Sequence, residues 1–398
     1  MTFSTSRHTS GRGLRGTVWT ASLLAVVAAA CGGDADSGAT APAEQAAPSP
    51  AAGSAPTEEA AAEGGGTATL ADIEGLEGQE REDALAGCAA EEEPLLWYTT
   101  LIEDQMARPL ADAFQARYPE LTVEISRTNS GGVIEKMVNE ARANRIESDV
   151  WSASEVQPLK EADLIEPYDF PTAEVYSEDL KDPEGTWVAS NIYVFSPGYN
   201  TSAVPPEEAP QTYEDLLDPR WQGRMAWSTS STSGWTGFVG HILEVMGEEE
   251  GMAYLEQLGG QNIAPLDVSA RQVLDQTIAG EYDIALQIFN HHPVISAEAG
   301  APVDWIAMEP LMVNPAPTGI TRGASSPCAA RLFMDFQLSE EGQEIFRDGD
   351  YLPAHPDVPA AVPELIPEEA GLEYLVMGPE YFDEHRDDWN AVIDQHFR

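Results

Sequence analysis

Segments with the patterns of β-strands and α-helices alternate between residues 95 and 151, and this order constrains the fold more than any other feature. Continuous apolar residues predict a buried strand at 95–99, and apolar residues at helical spacing follow until Pro119 ends the helix. A strand, a helix and a third short strand come next, at 121–125, 133–144 and 148–151. The order predicts an α/β fold in which helices flank a mixed, mostly parallel sheet.

The loops after the predicted strands are the candidate binding loops, because open parallel sheets bind ligands beyond the carboxyl ends of their strands. Strands are also predicted at 225–227 and 283–289, and six consecutive serine and threonine residues with a helix follow the first of them. Hydroxyl groups and free N–H groups at a helix start favour an anion, although a flexible loop explains the composition equally well. The predicted ligand-binding residues are Thr99, Thr100, Ser130, Gly131, Trp151, Ser154, Glu155, Ser228, Thr229, Ser230, Asn290, His291 and His292.

The first 68 residues have the composition of an export signal followed by a linker. Residues 1–30 carry three arginines and then a short apolar run that ends in small residues, which is typical of a cleaved signal peptide. Ala-Ala-Ala-Cys at the end of this run resembles a bacterial lipobox, so we expect Cys31 to be lipid-modified; an ordinary secretory signal is the alternative. Residues 31–68, rich in Ala, Pro, Gly and Glu, predict a disordered tether that holds the protein outside the cytoplasm, at the cell surface or in the periplasm.

Charge and cysteine content narrow the function further. The chain has 68 acidic and 20 basic residues and a net charge of −48, which excludes nucleic-acid binding because that needs a basic surface. We interpret the charge as a solvated surface suited to a salty habitat.

Besides Cys31, only Cys88 and Cys328 are present, and in an oxidising compartment we expect them to form a disulfide; two buried thiols are the alternative.

Short motifs in a fixed order give the chain a resemblance to a known family. They lie at residues 93–100, 114–119, 148–150, 212–224, 280–285 and 323–343. Together they resemble the class-1 bacterial extracellular solute-binding proteins, and in particular their ferric-iron-binding subgroup. The resemblance implies a type II periplasmic-binding-protein-like fold, in which two α/β lobes joined by crossing strands close on a solute. It assigns residues 69–190 and about 320–360 to the N-terminal lobe, and 191–319 and about 361–398 to the C-terminal lobe.

The same resemblance implies a monomeric substrate-binding component of an ABC-type importer, which delivers its solute to a permease and an ATPase. It also implies that the protein is not an enzyme, and the sequence lacks His-Glu-x-x-His, Walker A and Gly-x-Ser-x-Gly motifs. A sensor lipoprotein with the same fold is an alternative, and an exported hydrolase is a more distant one.

The sequence leaves the ligand open. Ferric-binding members of the family place adjacent tyrosines after the strand that here ends at Phe289, whereas this chain has Asn290 and His291, or His291 and His292, there. Adjacent residues leaving a strand point to opposite sides, so His291 and His292 are not expected to bind one ion together. We expect one histidine to be buried and hydrogen-bonded and the other to reach the cleft; the alternative is that His291 is a metal ligand. Ferric iron with a synergistic anion, a divalent metal, an anion alone, and an organic cation such as thiamine or a polyamine all remain. For the organic cation, the candidate aromatic contacts are Trp151, Trp227, Trp235 and Phe289.

Overall fold

The computed structural model describes residues 69–73, 75–230 and 234–398, which all belong to one structural unit, Gly64–Arg398. The predicted signal peptide, Cys31 and the tether lie outside the described residues, and so do residues 231–233 of the loop rich in serine and threonine. Within the described part, no helix is both long and apolar enough to cross a membrane.

Strands and helices alternate along most of the described chain. The strands are β1 Leu95–Thr99, β2 Val123–Arg127, β3 Val150–Ser152, β4 Ile165–Glu166, β5 Val188–Asn200, β6 Met225–Ser228, β7 Ala264–Leu266, β8 Ile284–Phe289, β9 Val303–Trp305, β10 Leu311–Thr321, β11 Leu352–Pro353 and β12 Tyr374–Val376. The α-helices are α1 Leu70–Ile73, α2 Gly78–Ala89, α3 Arg108–Arg117, α4 Ser130–Arg142, α5 Gln157–Glu161, α6 Trp235–Met246, α7 Glu248–Gly259, α8 Ala270–Ala279, α9 His291–Glu298, α10 Pro327–Leu338, α11 Glu340–Asp348, α12 Pro367–Ala370 and α13 Pro379–His396. A π-helical turn, Glu103–Ala107, precedes α3, and 3₁₀ turns lie at Pro171–Ala173, Glu178–Leu180, Pro206–Glu208, Glu214–Leu217, Pro219–Trp221 and Pro363–Leu365.

Two long strands join two groups of parallel strands. The hydrogen-bonded order is β2-β1-β3-β10-β5-β8-β6-β7. On one side β1 is parallel to β2 and β3, and on the other β6 is parallel to β7 and β8. Between them β5 and β10 are antiparallel to each other and to β8 and β3, respectively. We call the group around β1 the N-terminal lobe and the group around β6 the C-terminal lobe; the predicted two-lobed α/β fold is confirmed.

Each lobe has its own hydrophobic core. In the N-terminal lobe Trp97 and Phe114 pack around Phe333 of α10, with ring centroids 5.1 and 5.2 Å from it. In the C-terminal lobe Trp227 packs against Phe238 of α6, with ring centroids 5.9 Å apart. Each group of strands therefore buries its own apolar side chains, an arrangement that hinge motion between two lobes requires. The residue boundaries predicted for the lobes stay a prediction.

Helix α2 is fastened to the start of helix α10. The structure bonds Cys88 to Cys328, the pairing expected from the sequence, and their Cα atoms lie 5.9 Å apart. Glu92, one turn after Cys88, accepts hydrogen bonds from the backbone N–H groups of Cys328 at 3.0 Å and Ala329 at 2.9 Å. Its carboxylate therefore caps unpaired donors in the first turn of α10, where a negative charge is also favoured by the helix dipole.

Helix α13 packs on the C-terminal lobe and touches the N-terminal lobe with its first turn. Trp389 lies so close to Gly240 of α6 that a Cβ atom there would be 2.5 Å from the indole ring, so this approach requires glycine. At the start of α13, Glu380 accepts hydrogen bonds of 2.8 Å from the indole nitrogen of Trp187 and from the amine of Lys160. Trp187 belongs to a hydrophobic cluster of the N-terminal lobe, so α13 contacts both lobes.

Replacing Cys88 and Cys328 by serine should lower the free energy of unfolding by about 2–4 kcal/mol, because the disulfide closes a long loop and restricts the unfolded chain. Their separation of 240 positions makes this loop most of the folded chain. Urea denaturation of the oxidised protein and of the double variant measures the difference, with reduced wild-type protein as the control. Equal unfolding free energies in all three samples would contradict the expected stabilisation.

Candidate ligand-binding cleft

The floor of a cleft lies where β5 and β10 cross between the lobes. Tyr193 of β5 is paired in register with Asn314 of β10, so both side chains lie on the same face of the sheet. Asn191 lies two residues before Tyr193 and shares that face, while Ile192 and Val194 belong to the hydrophobic core of the N-terminal lobe. The alternation in β5 therefore gives the cleft a polar floor and keeps its apolar side chains buried.

Two adjoining cavities occupy this cleft and share Ser154 and Tyr193. They measure about 230 and 340 Å³. The wall on the N-terminal lobe consists of short polar side chains that follow β1 and β3. The smaller cavity is also lined by Thr100, Ser152, Ser190 and Asn191, and the larger one by Glu155, Asn314, Met377 and Phe382.

Several residues predicted to bind ligand meet at this wall. Thr100, Ser154 and Glu155 line the cavities. The hydroxyl of Ser130 accepts a hydrogen bond of 2.9 Å from the backbone N–H of Ser154, so it holds the loop that carries Ser154. Gly131 follows Ser130 in the first turn of α4. Thr99 is completely buried, and its hydroxyl accepts a 3.2 Å hydrogen bond from the backbone of Leu101, which shapes the loop after β1.

Other residues that were predicted to bind ligand instead pack or form hydrogen bonds within the protein. Trp151 is 0 % exposed and packs in the hydrophobic core of the N-terminal lobe, so its indole is not part of the cleft surface. Where β6 ends, the hydroxyls of Ser228, its last residue, and of Ser230 both donate hydrogen bonds to the carbonyl oxygen of Val268, at 2.6 and 2.9 Å. The backbone N–H of Thr229 donates to the carbonyl of Leu266. These hydroxyls stabilise a turn of the C-terminal lobe.

Asn290, His291 and His292 lie at the start of helix α9. Asn290 is buried, and its side-chain amide donates a 2.8 Å hydrogen bond to the carbonyl of Leu365. Both histidines are buried, with ring centroids 4.5 Å apart. The expectation that their side chains leave a strand on opposite sides was wrong, because the chain turns into a helix directly after Asn290.

His291 lines a third cavity of about 290 Å³, together with Tyr351 and the carboxylates of Asp350 and Glu298. Burial lowers the pKa of His291 to about 3, and the charge of Arg271 lowers it as well, so the imidazole is neutral at physiological pH. Its Nδ1 atom has no hydrogen-bond partner among the described residues.

The described residues contain two groups of three metal-ligating side chains, and neither includes His291. The first group consists of Cys88, Glu92 and Cys328, and its two cysteines form the disulfide. The second group consists of Glu340, His355 and Asp357. In the second group, Nδ1 of His355 accepts a 3.2 Å hydrogen bond from the backbone N–H of Asp357, so the lone pair of that nitrogen is already engaged. Metal binding by His291 stays a prediction.

The sequence reasoning missed two tyrosines: Tyr193, which lines both cleft cavities, and Tyr351, which lines the third cavity and reaches the loop after β1. Tyr193 stacks on Phe289 with ring centroids 4.4 Å apart, and the hydroxyl of Tyr351 accepts a 3.2 Å hydrogen bond from the backbone N–H of Ile102, beyond β1. Burial raises the pKa of both tyrosines, so both phenols keep their protons at physiological pH and can donate hydrogen bonds. The polar residues Asn191 and Tyr193 alternating with apolar ones in β5 could have revealed Tyr193, whereas Tyr351 stands in no such pattern.

Comparison with known sequences identifies a protein family that matches the chain. The family model for "Bacterial extracellular solute-binding protein" matches residues 149–384. An uncharacterized protein of Haemophilus influenzae is 28% identical over 254 residues, which are 60% of this chain and 72% of that protein. Iron uptake protein A1 of Synechocystis sp. is 25% identical over 185 residues, which are 44% of this chain and only 51% of that protein.

Solved structures share the two-lobed fold. The periplasmic binding protein AfuA of Actinobacillus pleuropneumoniae, with fructose-6-phosphate bound, has a TM-score of 0.66 and 23% identity, covering 76% of this chain and 98% of AfuA. Iron-bound HitA of Pseudomonas aeruginosa has a TM-score of 0.63 and 22% identity, covering 75% of this chain and 99% of HitA. The family model spans more than half of the sequence and includes the crossing strands and the cleft floor. The chain therefore belongs to the bacterial extracellular solute-binding proteins.

Proposed function

We propose that this chain captures a small polar solute in the cleft between its lobes and delivers it, as a monomer, to the permease and ATPase of an ABC-type importer. The observation that carries the proposal is the polar floor of Tyr193, Asn191 and Asn314 on the strands that join the lobes. A solute bound on these strands touches both lobes when they close, so binding and closure are coupled. The role is binding and transport rather than catalysis.

The side chains at the cleft favour a solute rich in oxygen or nitrogen atoms. Hydroxyl and amide groups of Thr100, Ser154, Ser190 and Asn191 can each donate or accept a hydrogen bond. A bare metal ion is less suited, because the two metal-ligating groups found in the described residues lie elsewhere. Iron together with an anion is the second candidate, and it is favoured by the neutral imidazole of His291 in the third cavity, whose Nδ1 atom has no partner among the described residues.

The proposed location follows from the N-terminal sequence. We propose that the chain is exported, cleaved before Cys31 and anchored to the cell membrane by acyl chains on that cysteine, with residues 32–68 as the tether. Intact-mass measurement of protein extracted from membranes tests this. A mature chain that begins at Cys31 and carries acyl groups supports the proposal, and a mature chain without acyl groups contradicts it.

Filling the cleft should abolish solute binding without unfolding the protein. Ser154 is exposed and lines both cleft cavities, so a tryptophan in Ser154→Trp occupies the space of the solute. Ser202→Trp is the matched control, because Ser202 is an exposed serine outside the cleft. Native mass spectrometry of protein purified from its own cells should find a bound solute on the wild type and on Ser202→Trp, and none on Ser154→Trp. Equal occupancy of all three proteins would place the solute outside the cleft.

A further inference from the structure

Arg127 is an exposed cation that has no partner in the described part of the chain. Every other lysine and arginine in residues 69–73, 75–230 and 234–398 makes a hydrogen bond or an ion pair, whereas Arg127 makes neither within this part of the chain. The chain carries 68 acidic residues, so carboxylates are abundant. An arginine that none of them neutralises is available to a ligand.

The position of Arg127 places it at the edge of the cleft. It is the last residue of β2 and is paired in register with Thr99 of β1, and the next residue's N–H donates to the carbonyl of Thr99 at 3.1 Å. Arg127 therefore leaves the sheet at the same edge as Thr100, which lines the smaller cleft cavity. Burial raises the pKa of Tyr193 and of Tyr351, and the positive charge of Arg127 opposes that rise at both hydroxyls. The two tyrosines adjoin the same loop after β1: the hydroxyl of Tyr351 accepts from the backbone N–H of Ile102, and Tyr193 lines the smaller cavity together with Thr100 and Leu101.

These three side chains share one chemical property, because each offers hydrogen-bond donors. A guanidinium has five N–H donors and no acceptor, and it matches the geometry of a carboxylate or a phosphate. The protonated phenols of Tyr193 and Tyr351 each add an O–H donor. An anionic oxygen group accepts from all of them, whereas a cation would be repelled by Arg127 and a neutral sugar would gain nothing from its charge.

We propose that Arg127, Tyr193 and Tyr351 form a subsite for the anionic group of the solute, which is therefore a small organic anion that carries a carboxylate or a phosphate. The inference rests on the proposed function of the cleft and names the class of solute that it binds.

Calorimetric titration with four probes tests the subsite. The probes are citrate and fructose 6-phosphate as anions, fructose as a neutral molecule and thiamine as a cation. Wild-type protein should bind at least one anion more tightly than fructose or thiamine. Arg127→Gln should weaken that binding by roughly 10- to 100-fold, the usual effect of losing a charged hydrogen-bond donor. Arg142→Gln is the control, because Arg142 is an exposed arginine of the same lobe whose side chain bonds to Asn139 in the described structure; this variant should bind anions as the wild type does.

The outcomes separate the subsite from the function of the cleft. Anion affinity that is unchanged in Arg127→Gln, tighter binding of fructose or thiamine, or no binding of either anion would overturn the subsite. If Arg127→Gln keeps the wild-type anion affinity, or if fructose or thiamine binds more tightly than the anions, loss of binding in Ser154→Trp would still support solute binding in the cleft. Binding that survives in Ser154→Trp as well would overturn the cleft function itself.

A second feature, independent of Arg127, bridges the lobes at the first turn of α13. Besides the bonds of Glu380 to Trp187 and Lys160, the carboxylate of Asp383 accepts a 3.2 Å hydrogen bond from the backbone N–H of Gln157. Gln157 and Lys160 belong to α5, which follows the cleft loop of Ser154 and Glu155. Trp187 is 3 % exposed, so its indole N–H depends on Glu380 for a partner.

We infer that Glu380 acts as a latch that holds the lobes together. Rotation of the lobes about β5 and β10 would separate α13 from α5 and break charge-assisted hydrogen bonds, so these bonds favour the closed form. Removal of the Glu380 carboxylate should shift the protein without solute toward the open form and increase its radius of gyration.

Small-angle X-ray scattering of the unliganded protein tests the latch. Glu380→Ala should be larger than the wild type, and Glu380→Gln should fall between them, because its amide oxygen still accepts from Trp187 but carries no charge for Lys160. Glu384→Ala is the control, since Glu384 is an exposed residue one turn later in the same helix, and it should match the wild type. A Glu380→Ala protein that is folded by circular dichroism and has the wild-type radius would overturn the latch.

Discussion

The antiparallel pairing of β5 with β10 is the interaction on which the rest of the structure depends. These strands carry the N-terminal lobe at one end and the C-terminal lobe at the other, so the hydrogen bonds that join the lobes also fix the floor of the cleft. A slip of one residue would turn Tyr193 into the core and bring Ile192 to the floor, because strand side chains alternate between faces. The fully buried Gln343 connects β5 to the segment after β11: its side-chain amide donates a 2.8 Å hydrogen bond to the carbonyl of Ser190 in β5 and accepts a 2.8 Å hydrogen bond from the backbone N–H of Ala354.

The net charge of the whole protein favours a cationic solute, whereas the hydrogen-bond donors of its cleft favour an anionic one. A net charge of −48 favours cations at long range, but salt screens such a field beyond about 8 Å at physiological ionic strength. Inside a closed cleft the nearest groups decide, because water and salt are largely excluded. In the proposed subsite, the protonated phenols of Tyr193 and Tyr351 and the guanidinium of Arg127, which has no ion-pair partner among the described residues, favour an anion. An acidic surface is therefore compatible with an anionic solute.

The strands and helices with regular apolar spacing could be predicted from the sequence, whereas those without such spacing were missed. The buried strand β1 and the helices α3 and α4 follow simple apolar spacing, so the parallel sheet and the wall of Thr100, Ser154 and Glu155 could be expected. The second crossing strand, β10, was missed because Pro315 and Pro317 argue against a central strand; the structure accommodates them at an irregularity in the register between these two prolines. The roles of Tyr351 and Glu380 depend on contacts between distant parts of the chain, which no local pattern reports.

The central claim is that a solute binds on the crossing strands between the lobes, and a crystal structure of the protein with the solute retained from its own cells tests it most directly. Our account predicts solute density in contact with Tyr193, Asn191 and Ser154, with an anionic group directed to Arg127. Density in the cavity of His291, Asp350 and Glu298 instead, with Arg127 facing solvent, would contradict the account.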